Sequence, residues 1–472
     1  MTRRRQGHAL LAAITALVVV LSAALYVTVA AHDGTARRTL AAGRPHGAGP
    51  GSAGRWVGTW SASPAAAEPG TGARGTAGRS LRNVVHTSVG GTSARVTLSN
   101  LLGSRPLRLT HASIALAAED EGPAAAPGTM RRLTFGGRTA VVVPPGRQTV
   151  SDPVALPVPA DADVLITTYS PTPSGPVTIH PRARQTSYAA VGQHTEDLAG
   201  TAYTERTEAW RYVTALDVLG SEADGTVVVL GDSLTDGSSS STDENRRWPD
   251  ALARRLRAAA EDGRDVPRHG VVNQGISGNR LLADGYLRPL ARTVRPQNPS
   301  GLRRFSRDVL GTPGVEVVVV DLGVNDILRD PALADPDRIL AGLRALVARA
   351  HARGVRAVGA TLMPFKGHPG YTDAREEVRR RINAEIRAGR VFDAVADFDE
   401  ALRDPYDPRR LRFDYDCGDH LHPSDRGYAR MAEAVDLADL GGNAVRGARG
   451  TARATTTNRQ QPDDGVTRHG AR

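Results

Sequence analysis

Cysteine is almost absent from this 472-residue chain: Cys417 stands alone, so no internal disulfide framework exists. Its place beside Asp419 makes it either a small filler residue, the reading we favour, or a thiol nucleophile on the segment that also holds the histidines. Lysine is nearly as scarce. Lys366 is the single one, so the 60 basic residues are almost all arginine. They are interleaved with the 50 acidic residues along the chain, as in Arg375-Glu376-Glu377-Val378-Arg379-Arg380-Arg381. A net charge of +10 would suit nucleic acid, but such interleaving describes solvated, ion-paired helix faces instead. No nucleic-acid partner is therefore expected, while a weak attraction to anionic wall polymers or lipid head groups stays open. No Gly-x-Ser-x-Gly occurs, which removes the nucleophile elbow of the α/β-hydrolases. Neither phosphate-loop nor dinucleotide glycine motif follows a strand, which argues against nucleotide cofactors. Asp416, Cys417, Asp419, His420 and His422 crowd together, yet no second, well-spaced Cys/His pair accompanies them, so no metal is expected.

What is present begins with export. Arg3-Arg4-Arg5 precedes the run Ala9 to Ala31, which is long enough to span a bilayer and ends on Val29-Ala30-Ala31. Residues 1–31 read as a signal peptide or membrane anchor that places the rest of the chain outside the cytoplasm. Membrane contact would run only through this segment. Residues 32–54 lack periodicity and read as a tether, and 443–472 as a disordered tail. Residues 55–222 carry short strand-like runs between Gly and Pro, at Val84–Val89, Ala94–Ser99, Leu107–Leu116, Thr139–Val143, Val164–Tyr169 and Val177–Ile179. Gly90-Gly91 looks like the turn of a hairpin joining the first two. A β-sandwich-like domain of unknown role follows from that pattern. Trp56 and Trp60 suit its core or a strand edge better than sugar stacking.

Residues 223–442 change rhythm. Strand runs at Val227, Val271, Val315, Val355 and Val391 alternate with helical spacing over Trp248–Ala260, Asp337–Arg353 and Asp373–Ala388. This predicts a three-layer α/β/α sandwich around a parallel sheet. Four segments sit where its strands end. Gly231-Asp232-Ser233-Leu234 follows the first strand, and Asn273 to Asn279 the second. Gly323-Val324-Asn325-Asp326 follows the third, and Asp419-His420-Leu421-His422-Pro423 precedes a helix-like stretch, Ser424 to Leu437. Ligands of open α/β sheets bind at such strand ends. A serine hydroxyl is a poor nucleophile until a histidine takes its proton and a carboxylate orients that histidine. Asp419 and His422, three apart, can face the same way, whereas His420 is adjacent to Asp419 and points elsewhere. By itself an Asp-x-x-His is equally a helix-capping pattern. Gly278 can bring its backbone N–H close to a substrate, Asn325 has a side-chain amide, and the Ser233 N–H lies beside both.

Taken together and in this order, Ser233, Gly278, Asn325 and His422 resemble the four signature blocks of the SGNH (GDSL-type) hydrolases over roughly Thr226 to Leu440. The resemblance implies a flavodoxin-like fold. It also implies a catalytic Ser233, His422 and Asp419, with the Ser233 N–H, Gly278 and Asn325 as oxyanion hole and no cofactor. The upstream β-domain and Asn245-Arg246-Arg247-Trp248-Pro249 look most like the arylesterase or xylan-esterase-like members. The expected activity is hydrolysis of carboxylic esters, with short acyl or acetyl groups on polysaccharide a reasonable guess and lipid or aryl esters open. An acyltransferase using the same acyl-enzyme, or a surface glycan-binding protein with vestigial activity, are the alternatives.

Overall fold

The computed structural model describes residues 54–119, 121–220, 223–285 and 297–441. The expected leader, nearly all of the tether, and the tail lie outside them. Among the described residues no helix is long and apolar enough to cross a membrane. They all fall in one compact unit that begins at Gly54.

Valine runs buried on both faces dictate the second half. Five parallel strands lie in the order His269–Gly275, Gly225–Gly231, Val315–Asp321, Arg356–Ala360 and Ala394–Ala396. Val227 to Leu230 and Val317 to Val320 are all buried, as continuous apolar runs in a parallel sheet should be. The chain starts on the second strand of this order, steps to one edge, then returns to the other side. That reversal creates a switch point beside Gly225–Gly231, where ligands of such sheets bind. Trp248–Glu261 packs with Asp425–Glu433, and Pro336–His351 with Asp373–Arg387. Ile339, Leu340, Leu343 and Leu346 turn one face of Pro336–His351 into the core, and Asp335 caps its start by accepting the Asp337 N–H at 2.9 Å. The α/β fold read from the sequence is the fold observed. Its last strand differs in place: Val391 is buried in the turn ahead of Ala394–Ala396. The closing helix also stops at Glu433, and a 3₁₀ turn over Leu437–Leu440 follows it.

The first half is antiparallel. One sheet runs Arg55–Ser61, Val213–Gly220, Ala94–Ser99, Gln148–Val150. A second runs Glu205–Thr207, Ser187–Val191, Arg79–His86, Asp163–Ser170, His111–Leu116, Arg131–Arg132, and two smaller sheets flank them, Ala209–Arg211 with Thr178–Pro181 and Ala66–Ala67, and Leu107–Leu109 with Val141–Val143. Val96, Leu98, Leu216 and Val218 from the first meet Val85, Ile114, Val164 and Ile166 from the second in a single core. Two details depart from the sequence reading. Arg79–His86 and Ala94–Ser99 do not form a hairpin; they belong to different sheets, and Gly90-Gly91 carries the chain between them. Each strand then buries one face against the opposite sheet, which a local hairpin would not give it. Leu107–Leu116 breaks at Thr110 into two strands of separate sheets. Trp60 is buried edge-on to Trp210, ring centroids 4.9 Å apart, and Trp56 lies under the Arg95 guanidinium.

This β region is docked on the α/β sheet. The Gly58 N–H donates to Thr226 Oγ1 at 3.0 Å, and Ser88 Oγ accepts the Val271 N–H at 3.0 Å. Gln274 Nε2 donates to Ser61 Oγ at 2.8 Å. The strand His269–Gly275, otherwise an open sheet edge, is thereby covered.

Candidate active site

Each predicted site residue comes from the carboxyl end of a strand or from the loop facing it. Ser233 opens a single helical turn, Ser233–Asp236, immediately after the first strand, and Asp232 caps that turn by accepting the Leu234 N–H at 3.0 Å. The turn sits tightly on the strand: a Cβ at Gly231 would lie 2.1 Å from Thr235 Oγ1. Only glycine allows that approach.

His422 reaches across from the loop before Asp425–Glu433. Its Nε2 lies 2.8 Å from Ser233 Oγ, and its Nδ1 lies 2.6 Å from Asp419 Oδ2. Asp419 Oδ1 accepts the backbone N–H of His422 at 2.8 Å and of Leu421 at 3.0 Å. Burial works against ionisation of this carboxyl, but the His422 side chain and those N–H donors outweigh it and hold its pKa well below the usual range. The side chain of Asp419 is nonetheless 47% exposed. His420 has a carboxylate of its own, which the sequence reading did not foresee. Its Nδ1 lies 2.7 Å from Asp416 Oδ2, and its backbone is left-handed with φ 62°. Two Asp–His pairs thus stand side by side, and only the Asp419–His422 pair meets Ser233. Asp416, Cys417 and Asp419 could each offer a ligand atom to an ion, but both carboxylates already serve histidines. Cys417 is exposed and fills no core space.

Neither the Ser233 nor the Gly278 N–H has an acceptor among the described residues. Gly278 is left-handed at φ 73°, and the Arg329 guanidinium carbon lies 3.3 Å from where its Cβ would stand. Asn325, buried, sits beneath. Its Nδ2 donates to Asp232 Oδ2 at 2.9 Å, and its Oδ1 accepts from Arg329 Nε at 2.6 Å. One amide hydrogen is engaged with Asp232 and one is left. Asp232 and Asp321 form a buried carboxyl pair below the serine. Burial, and for Asp232 also the charge of Asp321, raises both pKa values and favours the protonated form.

Several residues that shape the site have no motif. Asp326 accepts the Leu281 and Leu282 N–H groups at 2.7 and 2.9 Å and so ties the Gly278 loop to the Asn325 helix. Arg304, fully buried, donates to the Gly231 carbonyl at 2.8 Å and to Asn279 Oδ1 at 3.0 Å. His180, from the β region, places Nε2 2.9 Å from Asp236 Oδ1 and Nδ1 2.8 Å from the Ser63 carbonyl. These elements enclose a cleft of about 340 Å³, and its wall includes Ala65, His180, Pro181 and Arg182 of the β region opposite Ser233 and His422. Buried polar groups in such numbers are expected where a hydrogen-bonded frame holds reactive side chains still.

A serine hydroxyl hydrogen-bonded to an Asp-backed histidine, beside unpaired N–H groups at a sheet switch point, is the constellation of a serine hydrolase. Residues 229–430 match the GDSL-like Lipase/Acylhydrolase family. That part of the chain is a domain of this family and hence a carboxylic ester hydrolase. No curated protein sequence matches the chain. Among similar solved structures is an acetylxylan esterase of Geobacillus stearothermophilus, a catalytic mutant, 20% identical over 46% of this chain and 95% of that one, TM-score 0.33. A carbohydrate acetylesterase of Sinorhizobium meliloti is 18% identical over 44% and 95%, TM-score 0.33. A GDSL-like lipase of Bacteroides thetaiotaomicron is 17% identical over 48% and 89%, TM-score 0.31.

Proposed function

We propose that this protein is an exported serine esterase that cleaves short acyl or acetyl esters, on polysaccharide, through an acyl-enzyme on Ser233. The observation that carries the reading is the unbroken chain Ser233 Oγ, His422, Asp419, with contacts of 2.8 and 2.6 Å. Ser233 Oγ attacks the acyl carbon and gives its proton to His422 Nε2. The oxyanion that forms is met by the N–H groups of Ser233 and Gly278 and by the remaining Asn325 amide hydrogen. Collapse expels the alkoxide, which takes the proton from His422, and leaves the acyl group on Ser233. Water then attacks that ester, His422 takes its proton, and collapse returns a proton to Ser233 Oγ as the acid departs. Asp419 keeps Nδ1 protonated so that Nε2 can accept.

A cleft of about 340 Å³ lies at the small end of ligand sites and supports a short acyl group. Export is supported by the arginines and apolar run at residues 3–31. The test is turnover of chromogenic esters graded from acetyl upward. Ser233→Ala should abolish it with the fold intact, with acetyl or butyryl preferred over long chains in the parent. Turnover surviving in Ser233→Ala overturns the assignment of the nucleophile.

A further inference from the structure

Many arginines of the described residues pair with carboxylates, but of the three that line the mouth of the cleft only one does. Arg182, Arg280 and Arg329 line the cleft from three separate segments. Arg280 lies 3.5 Å from Asp330 and is thereby balanced. Arg182 and Arg329, both exposed, form no ion pair among the described residues, although the charge of Arg329 acts on the buried Asp232 carboxyl, whose protonated form is favoured. Arg329 donates its Nε to the neutral amide of Asn325 at 2.6 Å, which leaves its two terminal NH₂ groups for the cleft. The one carboxylate on the cleft wall cannot serve them. Asp236 accepts from His180 Nε2 on one oxygen, and from the Ser277 N–H at 2.9 Å and Ser277 Oγ at 2.6 Å on the other.

Arg182 is also held in place. It follows the strand Thr178–Pro181 with φ 57°, a left-handed conformation that costs a non-glycine residue about 1 kcal/mol or more. Two residues earlier, His180 pins that strand to Asp236, which is three residues from Ser233. The β region therefore carries a guanidinium to the rim of the cleft on a rigid mount, with Arg329 on the α/β side. Two unpaired guanidinium groups beside one reactive serine make a fork for a planar oxyanion.

We propose that the cleft is built for esters that carry a carboxylate, held by Arg182 of the β region and Arg329 of the α/β region. On a polysaccharide that carboxylate would belong to a uronic acid bearing or flanking the ester; on the acyl side it would be the free end of a dicarboxylic half-ester. The proposal rests on the esterase reading above and names its substrate class.

Matched ester pairs separate these sources. The para-acetoxybenzoate and para-acetoxybenzamide pair puts the charge on the alcohol side. The p-nitrophenyl half-ester of glutarate and p-nitrophenyl pentanoate put it on the acyl side. For each pair the readout is the ratio of kcat/KM, charged over neutral, in the parent and in Arg182→Gln, so that intrinsic reactivity cancels. In one pair the ratio should fall about tenfold in Arg182→Gln, mainly through KM, as expected for one charge-assisted contact. Arg182→Lys should retain part of it, and the preference should fade at about 1 M salt, where screening reaches about 3 Å. A ratio unchanged in both pairs overturns the proposal while leaving the esterase reading intact. Should no ester be cleaved, the esterase reading fails, and calorimetry still decides this one. Ser233→Ala protein should bind glutarate or galacturonate more weakly once Arg182→Gln is added; absence of binding, or binding that the second change does not alter, overturns it.

Discussion

The two halves of this molecule use buried polar groups for opposite ends. In the β region the deepest carboxylate, Asp217, sits among strands, bonded to Arg95 Nε at 2.9 Å, with its second oxygen unpartnered. Burial raises its pKa to about 6 even against the Arg95 charge. In the α/β region the buried carboxylates below Ser233 are each bonded to a neighbour in the site frame: Asp232 to Asn325, Asp321 to Thr235, Asp326 to two backbone N–H groups. One region tolerates a strained charge inside a scaffold. The other bonds its buried carboxyls into the frame that surrounds a reaction. The chemistry is concentrated at strand ends of one sheet, while the other region supplies one wall and a mount.

The sharpest way to break that division lies in the two histidines. His422→Ala should lose activity by about 10⁴-fold or more, since triad members act as a unit. His420→Ala should stay within a few-fold, because its Asp416 pair does not touch Ser233. Steady-state kinetics on both variants check this; the opposite ranking would move the base to the other pair. Next comes Asn325→Ala, for which loss of one oxyanion donor predicts a fall in kcat of about 10²–10³ with KM little changed. Because Asn325 also bonds Asp232, the variant should be screened for its melting point. A change confined to KM would make Asn325 a substrate-binding residue.

The β region should respond differently. His180→Ala removes the partner of a buried Asp236 and should lower stability by about 1–3 kcal/mol, measured by urea unfolding, with activity reduced far less than by His422→Ala. An equal loss in kcat would erase the distinction between wall and machinery. Smallest in its bearing on activity is Asp217→Asn. A folded pKa raised from 3.8 to about 6 means that the native state binds the proton more tightly. Stability contributed by this group is present below pH ~4 and is lost as pH rises toward about 6, on the order of 3 kcal/mol in all. The advantage of Asp217→Asn over the parent should therefore grow across that window and level off above it, with esterase activity unaffected.

Legibility in the sequence follows the same divide. The α/β half could be read because its information is local. Valine runs mark strands buried on both faces, and Ser233, Gly278, Asn325 and His422 each sit within a few residues of a strand end or helix start. The Asp–x–x–His spacing foretold a contact because both residues share one tight loop. The β half was legible only as a class. Alternation identified Ala94–Ser99 as a strand but not its partners, and a double glycine serves a crossover as well as a hairpin. His180 and Arg182 were invisible. Their meaning comes from Asp236, 56 positions from His180 in the chain, and no spacing rule spans that distance. The pairing of Asp416 with His420 escaped notice for a subtler reason: that bond goes with a left-handed backbone at His420, which the residue type does not announce.

The proposed reaction requires that Ser233 be the acylated residue. Reaction of the full chain with a fluorophosphonate, followed by peptide mass spectrometry, measures that directly. A single adduct on Ser233, lost in Ser233→Ala and suppressed in His422→Ala but not in His420→Ala, is the result expected. An adduct on a different serine, such as one of Ser238 to Ser241 in the same loop, or labelling that persists in Ser233→Ala, would contradict it.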